Sequence, residues 1–161
     1  MNDRRLWAPW RAGFVMGRKP RGCLFCRLPK ARPPRRQFIV ARGTLVYAVL
    51  NRYPYTNGHC LIVPYRHVAL PARLTDREWV ELLRVTEQLR RRLDRILKPR
   101  GYNYGINIGR AAGAGIPGHL HLHLVPRWEG DANFISTVGG TRVISQSLET
   151  LYRELTRAPA A

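Results

Sequence analysis

The sequence predicts an α+β fold with a mainly antiparallel sheet. Three observations carry that expectation. Short apolar runs bounded by Gly, Pro and Asn recur along the chain, as strands do. One long segment, from Thr75 to about Leu97, repeats its apolar residues at intervals of three and four, as an amphipathic helix does. The two kinds of segment do not alternate as a parallel sheet with crossover helices requires. With 161 residues and no internal repeat, residues 1–161 read as a single domain.

Each element has its own local reason. The N-terminal arm (about 1–20) carries Leu6-Trp-Ala-Pro-Trp10, an extended stretch with Trp7 and Trp10 as aromatic anchors. Arg32-Pro-Pro-Arg-Arg36 reads as an exposed loop, because paired prolines exclude helix and interior strand. Residues 38–50 read as two strands broken at Arg42-Gly43. The segment from Asn51 to Gly58 is turn-rich and ends in Asn57-Gly58, a strong turn signal. Cys60–Pro64 is a short apolar strand. Thr75-Asp-Arg-Glu78 has the form of a capping box. Trp79, Leu82, Leu83, Leu89, Leu93, Ile96 and Leu97 mark the buried face of the helix that follows, and Pro99-Arg-Gly101 stops it. Tyr102–Ile108 reads as a strand, 109–118 as a glycine-rich loop, and 119–125 as a last strand ending at Pro126. The C-terminal extension (about 128–161) holds one more helical pattern, from Ser147 to about Leu155.

The chain carries 28 Lys+Arg against 10 Asp+Glu, a formal net charge of +18, and nearly all the cations are Arg. A guanidinium offers a planar fork matched to phosphate oxygens, so this field draws in polyanions, whether nucleic acid or a small polyphosphate. Solvated arginines of no functional weight explain the charge equally well. No stretch approaches the roughly 20 apolar residues that span a bilayer, and the first residues lack the apolar run of a secretory signal. The expected partner list therefore excludes a membrane, and the expected location is the cytoplasm. Cys23, Cys26 and Cys60 are too few for a disulfide scaffold.

The chemistry concentrates in His119-Leu-His-Leu-His123. Successive side chains of a strand point to opposite faces, so the three histidines share one face and the leucines the other. Packing on the core accounts for the leucines. It does not account for three imidazoles side by side, which repel one another unless some stay neutral near pH 7. Neutral imidazole serves as nucleophile, hydrogen-bond acceptor or metal ligand. Half-buried histidines with ordinary hydrogen bonds are the alternative, and strict alternation of three after a glycine-rich loop argues against it. His59, at the start of an apolar strand, is a fourth candidate.

This pattern resembles the signature of the histidine triad family, His-φ-His-φ-His-φ-φ with φ apolar, which His119-Leu-His-Leu-His-Leu-Val125 meets throughout. Leu6-Trp-Ala-Pro9, Tyr47-Ala-Val-Leu-Asn-Arg-Tyr-Pro-Tyr55 and Pro126-Arg-Trp-Glu-Gly-Asp-Ala-Asn-Phe-Ile135 are similar to bacterial family members described as diadenosine tetraphosphate phosphorylases. The resemblance implies about five antiparallel strands with one long and one shorter C-terminal helix, paired into a homodimer. It also implies two-step transfer at phosphorus. His121 would attack the α-phosphate of a dinucleoside polyphosphate, and water or inorganic phosphate would then take the nucleotidyl group from His121. His123 and Asn107 would donate to phosphoryl oxygens, as would backbone N–H groups near Gly113 and Gly115. His59 would orient the histidine cluster. Asn51 matches the family's ribose-binding position, and Leu24, Phe25, Leu28 and Val49 its apolar purine slot, although core packing explains those four as well. Gly115 stands where many members carry Ser or Gln, which removes a side-chain donor. Histidine rather than glutamine at 123 favours the hydrolase and phosphorylase branches.

Cys23-Leu-Phe-Cys26 has the spacing by which two thiolates grip one zinc ion. No thioredoxin-like pattern surrounds it. Zinc needs two further ligands, and the resemblance implies His67 and His119, leaving Cys60 to the core. The expected metal is therefore a structural Zn2+ held by Cys23, Cys26, His67 and His119. Two rival functions share these residues. A related enzyme would hydrolyse nucleoside phosphoramidates or aminoacyl-adenylates through the same intermediate. A non-catalytic nucleotide- or RNA-binding protein would use the charge and the aromatics for phosphate contacts and base stacking. Nucleic-acid binding is not favoured, because it leaves His121 and its glycine loop without a purpose.

Overall fold

The computed structural model describes residues 22–31, 37–131 and 144–157; the Trp7–Trp10 arm, the Arg32–Arg36 loop and residues 132–143 lie outside them. Five strands form one antiparallel sheet: β1 (Ile39–Arg42), β2 (Val46–Leu50), β3 (Cys60–Pro64), β4 (Gly101–Gly105) and β5 (Leu122–Arg127), in the order β1-β2-β3-β5-β4. Among the described residues three α-helices accompany them: the short α1 (Leu24–Arg27), the long α2 (Asp76–Leu97) and the C-terminal α3 (Leu148–Arg157). The α+β class and the strand count therefore match the sequence reading. None of the described helices is long and apolar enough to cross a membrane.

Local chemistry explains the long helix. The Thr75 side chain accepts from the Glu78 backbone N–H, and the Glu78 carboxylate accepts from the Thr75 N–H at 2.8 Å, the full capping box. Glu78 also receives the Arg66 fork at 2.9 and 2.6 Å. Arg66, with help from the Thr75 N–H and hydroxyl, holds this buried carboxyl at about 2, although burial pulls the other way. Leu82, Val85, Leu89 and Leu93 form the buried stripe. Leu83, expected on that stripe, is instead 57% exposed. It sits about 100° around the helix from Leu82, on the flank rather than the core side.

The sheet has two unlike faces. Val46, Ala48, Leu50, Cys60, Ile62, Leu122 and Leu124 pack against α2 and α3 in the main core. Tyr47, Val49, Leu61 and Val63 face the other way and meet Phe25. Because Leu61 pairs with His123 across β3 and β5, the histidines fall on this second face. The last strand differs from the sequence reading at both ends: it begins at Leu122 and runs through Pro126 to Arg127. Proline is tolerated there because β3 pairs only as far as Leu124, while the Pro126 carbonyl still accepts from Thr56 Oγ1 at 2.8 Å. His119 to His121 keep the alternation without the ladder, and Leu120 N–H instead bonds the Val68 carbonyl. β4 is likewise shorter than expected, ending at Gly105 rather than Ile108.

Candidate active site and metal centre

His119, His121 and His123 line up on the second face and are each buried, with His59 beside them. Leu120, Leu122 and Leu124 occupy the main core, as the alternation requires. The hydrogen bonds assign a tautomer to each ring. His121 Nδ1 lies 2.9 Å from the His119 carbonyl oxygen. A carbonyl only accepts, so Nδ1 carries the proton and Nε2 presents its lone pair. His119 Nε2 lies 2.9 Å from the Pro64 carbonyl oxygen, so here Nε2 is protonated and Nδ1 is bare. His59 Nδ1 receives the Tyr55 backbone N–H at 3.1 Å. Its remaining nitrogen, Nε2, therefore donates to His123 Nδ1, 2.9 Å away. That leaves the proton of His123 on Nε2, which is buried without a hydrogen-bond partner among the described residues.

The row thus presents three different groups: a lone pair at His119 Nδ1, a lone pair at His121 Nε2 and an N–H donor at His123 Nε2. Burial lowers the pKa of His121 below its ordinary value, with the His119 carbonyl opposing, so the ring stays neutral and nucleophilic. Burial, with a smaller push from His121, brings His123 down to about 4.

The other predicted residues divide into those drawn to the row and those left apart. Asn51 accepts the Tyr53 N–H on Oδ1 at 3.0 Å, which turns its Nδ2 donor to His59 Nδ1 at 3.2 Å. Phe25 packs on His121 with ring centroids 4.9 Å apart, and on His119 at 5.5 Å. Val49 is buried with Phe25, and Leu28 packs against the same cluster, whereas Leu24 is 44% exposed. In the glycine loop, a Cβ on Gly113 would meet Asn107 Nδ2 at 3.8 Å, so those two are neighbours. The Gly113 N–H closes a turn onto the Arg110 carbonyl, while Gly115 stands in open space. Two residues escaped the sequence reading. Tyr55 lies parallel to His123 with centroids 5.8 Å apart, and Tyr47 donates its hydroxyl to the Phe25 carbonyl at 2.7 Å. A tyrosine in a wholly apolar strand needs a partner for its hydroxyl, and that could have flagged Tyr47.

Beyond His119 the row meets Cys23, Cys26 and His67. One donor atom from each of the four lies within 4.8 Å of all the others. Cys23 Sγ and Cys26 Sγ approach His119 Nδ1 to 3.2 and 3.5 Å, and Cys26 Sγ is 3.4 Å from His67 Nδ1. Donors around a tetrahedral zinc, with bonds of about 2.0–2.3 Å, lie roughly 3.5 Å apart, so the set fits that ion. The Pro64 carbonyl holds the far nitrogen of His119, the outer support that metal-bound histidines generally have. Cys60 differs: fully buried, it donates to the Gly58 carbonyl, and burial pushes its thiol up to about 12.

An antiparallel α+β sheet with three alternating histidines on one face defines a histidine-triad protein, and the HIT domain model matches residues 33–130. The chain belongs to this family. It is 43% identical to a protein named AP-4-A phosphorylase from Mycobacterium tuberculosis, over 94% of this chain and 82% of that protein. It is 30% identical to adenosine 5'-monophosphoramidase hnt1 of Schizosaccharomyces pombe, over 65% of this chain and 74% of that protein. Among solved structures, a Zn-bound histidine triad family protein from Mycobacterium smegmatis superposes with a TM-score of 0.66 at 26% identity, covering 84% of this chain and 91% of that one.

Proposed function

We propose that the protein cleaves dinucleoside polyphosphates such as diadenosine tetraphosphate, through a covalent nucleotidyl group on His121. The observation that carries this reading is the bare Nε2 of a neutral, buried His121 beside the unpartnered N–H of His123. His121 Nε2 gives its electron pair to the α-phosphorus, a P–N bond forms, and the P–O bond to the remaining nucleotide breaks. Charge grows on the phosphoryl oxygens, where the His123 Nε2–H donates without reorganisation. Asn107 lends a second donor. Phosphate or water then attacks the phosphoramidate and returns the electron pair to His121. His59 takes no proton from substrate; it holds His123 in the donating tautomer.

Phe25, Val49 and Leu28 form the wall against which a purine packs, and Asn51 receives the ribose. Cys23, Cys26, His67 and His119 hold a structural zinc, which would neutralise the two thiolates and tie α1 to the row. A second copy would pair along β4, whose outer residues are exposed, Tyr104 at 51%, and the exposed apolar Val80 and Leu83 of α2 would offer it further surface. Free thiols and a thiolate metal site suit the reducing cytoplasm. The M. tuberculosis likeness favours the dinucleoside substrate; the S. pombe likeness supports phosphoramidate hydrolysis by the same intermediate as a second reading.

Incubation with diadenosine tetraphosphate, with and without phosphate, tests the proposal. ADP and ATP formed only with phosphate mean phosphorolysis, and AMP and ATP without it mean hydrolysis. Absence of turnover removes this substrate, and turnover unchanged in His121→Ala removes the nucleophile.

A further inference from the structure

We infer that Tyr47 is a positioning residue which, through Phe25, couples metal binding to nucleotide binding. The inference rests on the reading above, in which the four-residue cluster holds zinc and the nucleotide lies against His121. Phe25 sits between the two thiols in sequence, so the backbone that aims Cys23 and Cys26 also aims the Phe25 ring. That ring touches both ends of the matter: His119, a metal ligand, at 5.5 Å and His121 at 4.9 Å. α1 has four residues and no side-chain cap at Cys23, so its own hydrogen bonds hold its direction weakly. Besides the apolar packing of Phe25 against Val49, Leu61 and Val63, two polar attachments hold α1 among the described residues. One is the pair of thiols at the metal. The other is the Phe25 carbonyl, which accepts the Tyr47 hydroxyl at 2.7 Å in a buried contact.

Tyr47 is fully buried on β2, on the histidine side of the sheet, and its ring lies 5.3 Å from Tyr65. It therefore anchors the turn to a part of the molecule that does not move with the metal. With zinc and Tyr47 both in place, the turn is held at two points and the Phe25 ring forms a fixed wall beside His121. Without either, the ring gains freedom that a nucleotide must remove on binding. A ligand packed on Phe25 then favours the metal-bound arrangement, and linkage makes the effect reciprocal.

The test measures zinc transfer from the loaded full-length chain to a chromophoric chelator, with and without saturating AMP, and AMP affinity by calorimetry at both zinc levels. In the wild type AMP should strengthen zinc binding by about 5–10-fold, and zinc should strengthen AMP binding by the same factor. Tyr47→Phe removes one oxygen; zinc affinity should fall about 10-fold, as for other outer supports of metal ligands, and the coupling factor should fall towards one. Phe25→Leu keeps the carbonyl and both thiols; zinc affinity without AMP should change by less than about 3-fold, while the coupling disappears. A wild-type coupling factor of one overturns the inference, and so does undiminished coupling in Tyr47→Phe. A chain that couples zinc to AMP yet never cleaves diadenosine tetraphosphate loses the proposed reaction and keeps the coupling.

Discussion

His119 and His123 stand at opposite ends of one row, share residue type, strand face and burial, and yet offer opposite chemistry. His119 donates to the Pro64 carbonyl and so exposes a lone pair towards two thiols. His123 accepts from His59 and so exposes an N–H. The partner of the far nitrogen decides what the near nitrogen can do. Between them, His121 donates to the carbonyl of His119 and by the same rule bares Nε2, the lone pair that the proposed nucleophile requires. One row thus offers two lone pairs and one N–H donor without changing the side chain, the polarity that the proposed division into metal binding, attack and charge stabilisation requires.

That comparison can be broken, most severely at its centre. His121→Ala should reduce formation of the nucleotidyl-enzyme by at least about 10^4-fold, since no neighbouring nitrogen presents a lone pair at that place; a radiolabelled-nucleotide trapping assay reads it. Next comes His123. Replacing it by Ala should lower single-turnover rate by about 10^2–10^3-fold, the usual cost of one transition-state donor. Gln at 123 should recover part of that loss because its amide also donates, and equal rates for the two variants would refute the donor role.

The metal end predicts a different readout. Stripping zinc should lower Tm by more than about 5 °C, given the folding free energy that structural zinc supplies. Cys60→Ser, at the buried third thiol, should leave the zinc stoichiometry intact by elemental analysis. The smallest effect sharpens the donor end. His123 faces His121, His59 and the Tyr55 ring, and burial brings its pKa to about 4 against an ordinary 6.5. In that window the unfolded chain binds the extra proton. The contribution of His123 to stability is therefore complete above pH 6.5 and declines as pH falls towards 4. Denaturant titrations should show a shallower decline over that range in His123→Gln.

The sequence reading reached the row itself but not its polarity. Alternation needs only the two-residue period of a strand, so the split between leucines and histidines was legible from His119 to Leu124. Tautomers were not, because they depend on the Pro64 carbonyl and on the turn that brings the Tyr55 N–H to His59, partners set by tertiary packing. The capping box was legible because Thr75 and Glu78 act within one helical turn. Leu83 misled for the opposite reason: helical spacing marks an apolar position, while only the sheet beneath α2 decides which flank is covered. The strand limits of β4 and β5 escaped because a ladder ends where its neighbour ends.

Gly58 ties these regions together from an unexpected side. It takes φ +80°, and a Cβ there would come within 2.6 Å of Leu97, 3.0 Å of Pro126 and 3.2 Å of Leu93. The next residue is His59, which holds the tautomer of His123. The helix side chains on the far face of the sheet thus sit one residue away from the proton arrangement of the site. A side chain at 58 would press on Leu93, Leu97 and Pro126 and so displace the turn that aims His59, which makes the packing of the helix part of the geometry of the histidine row.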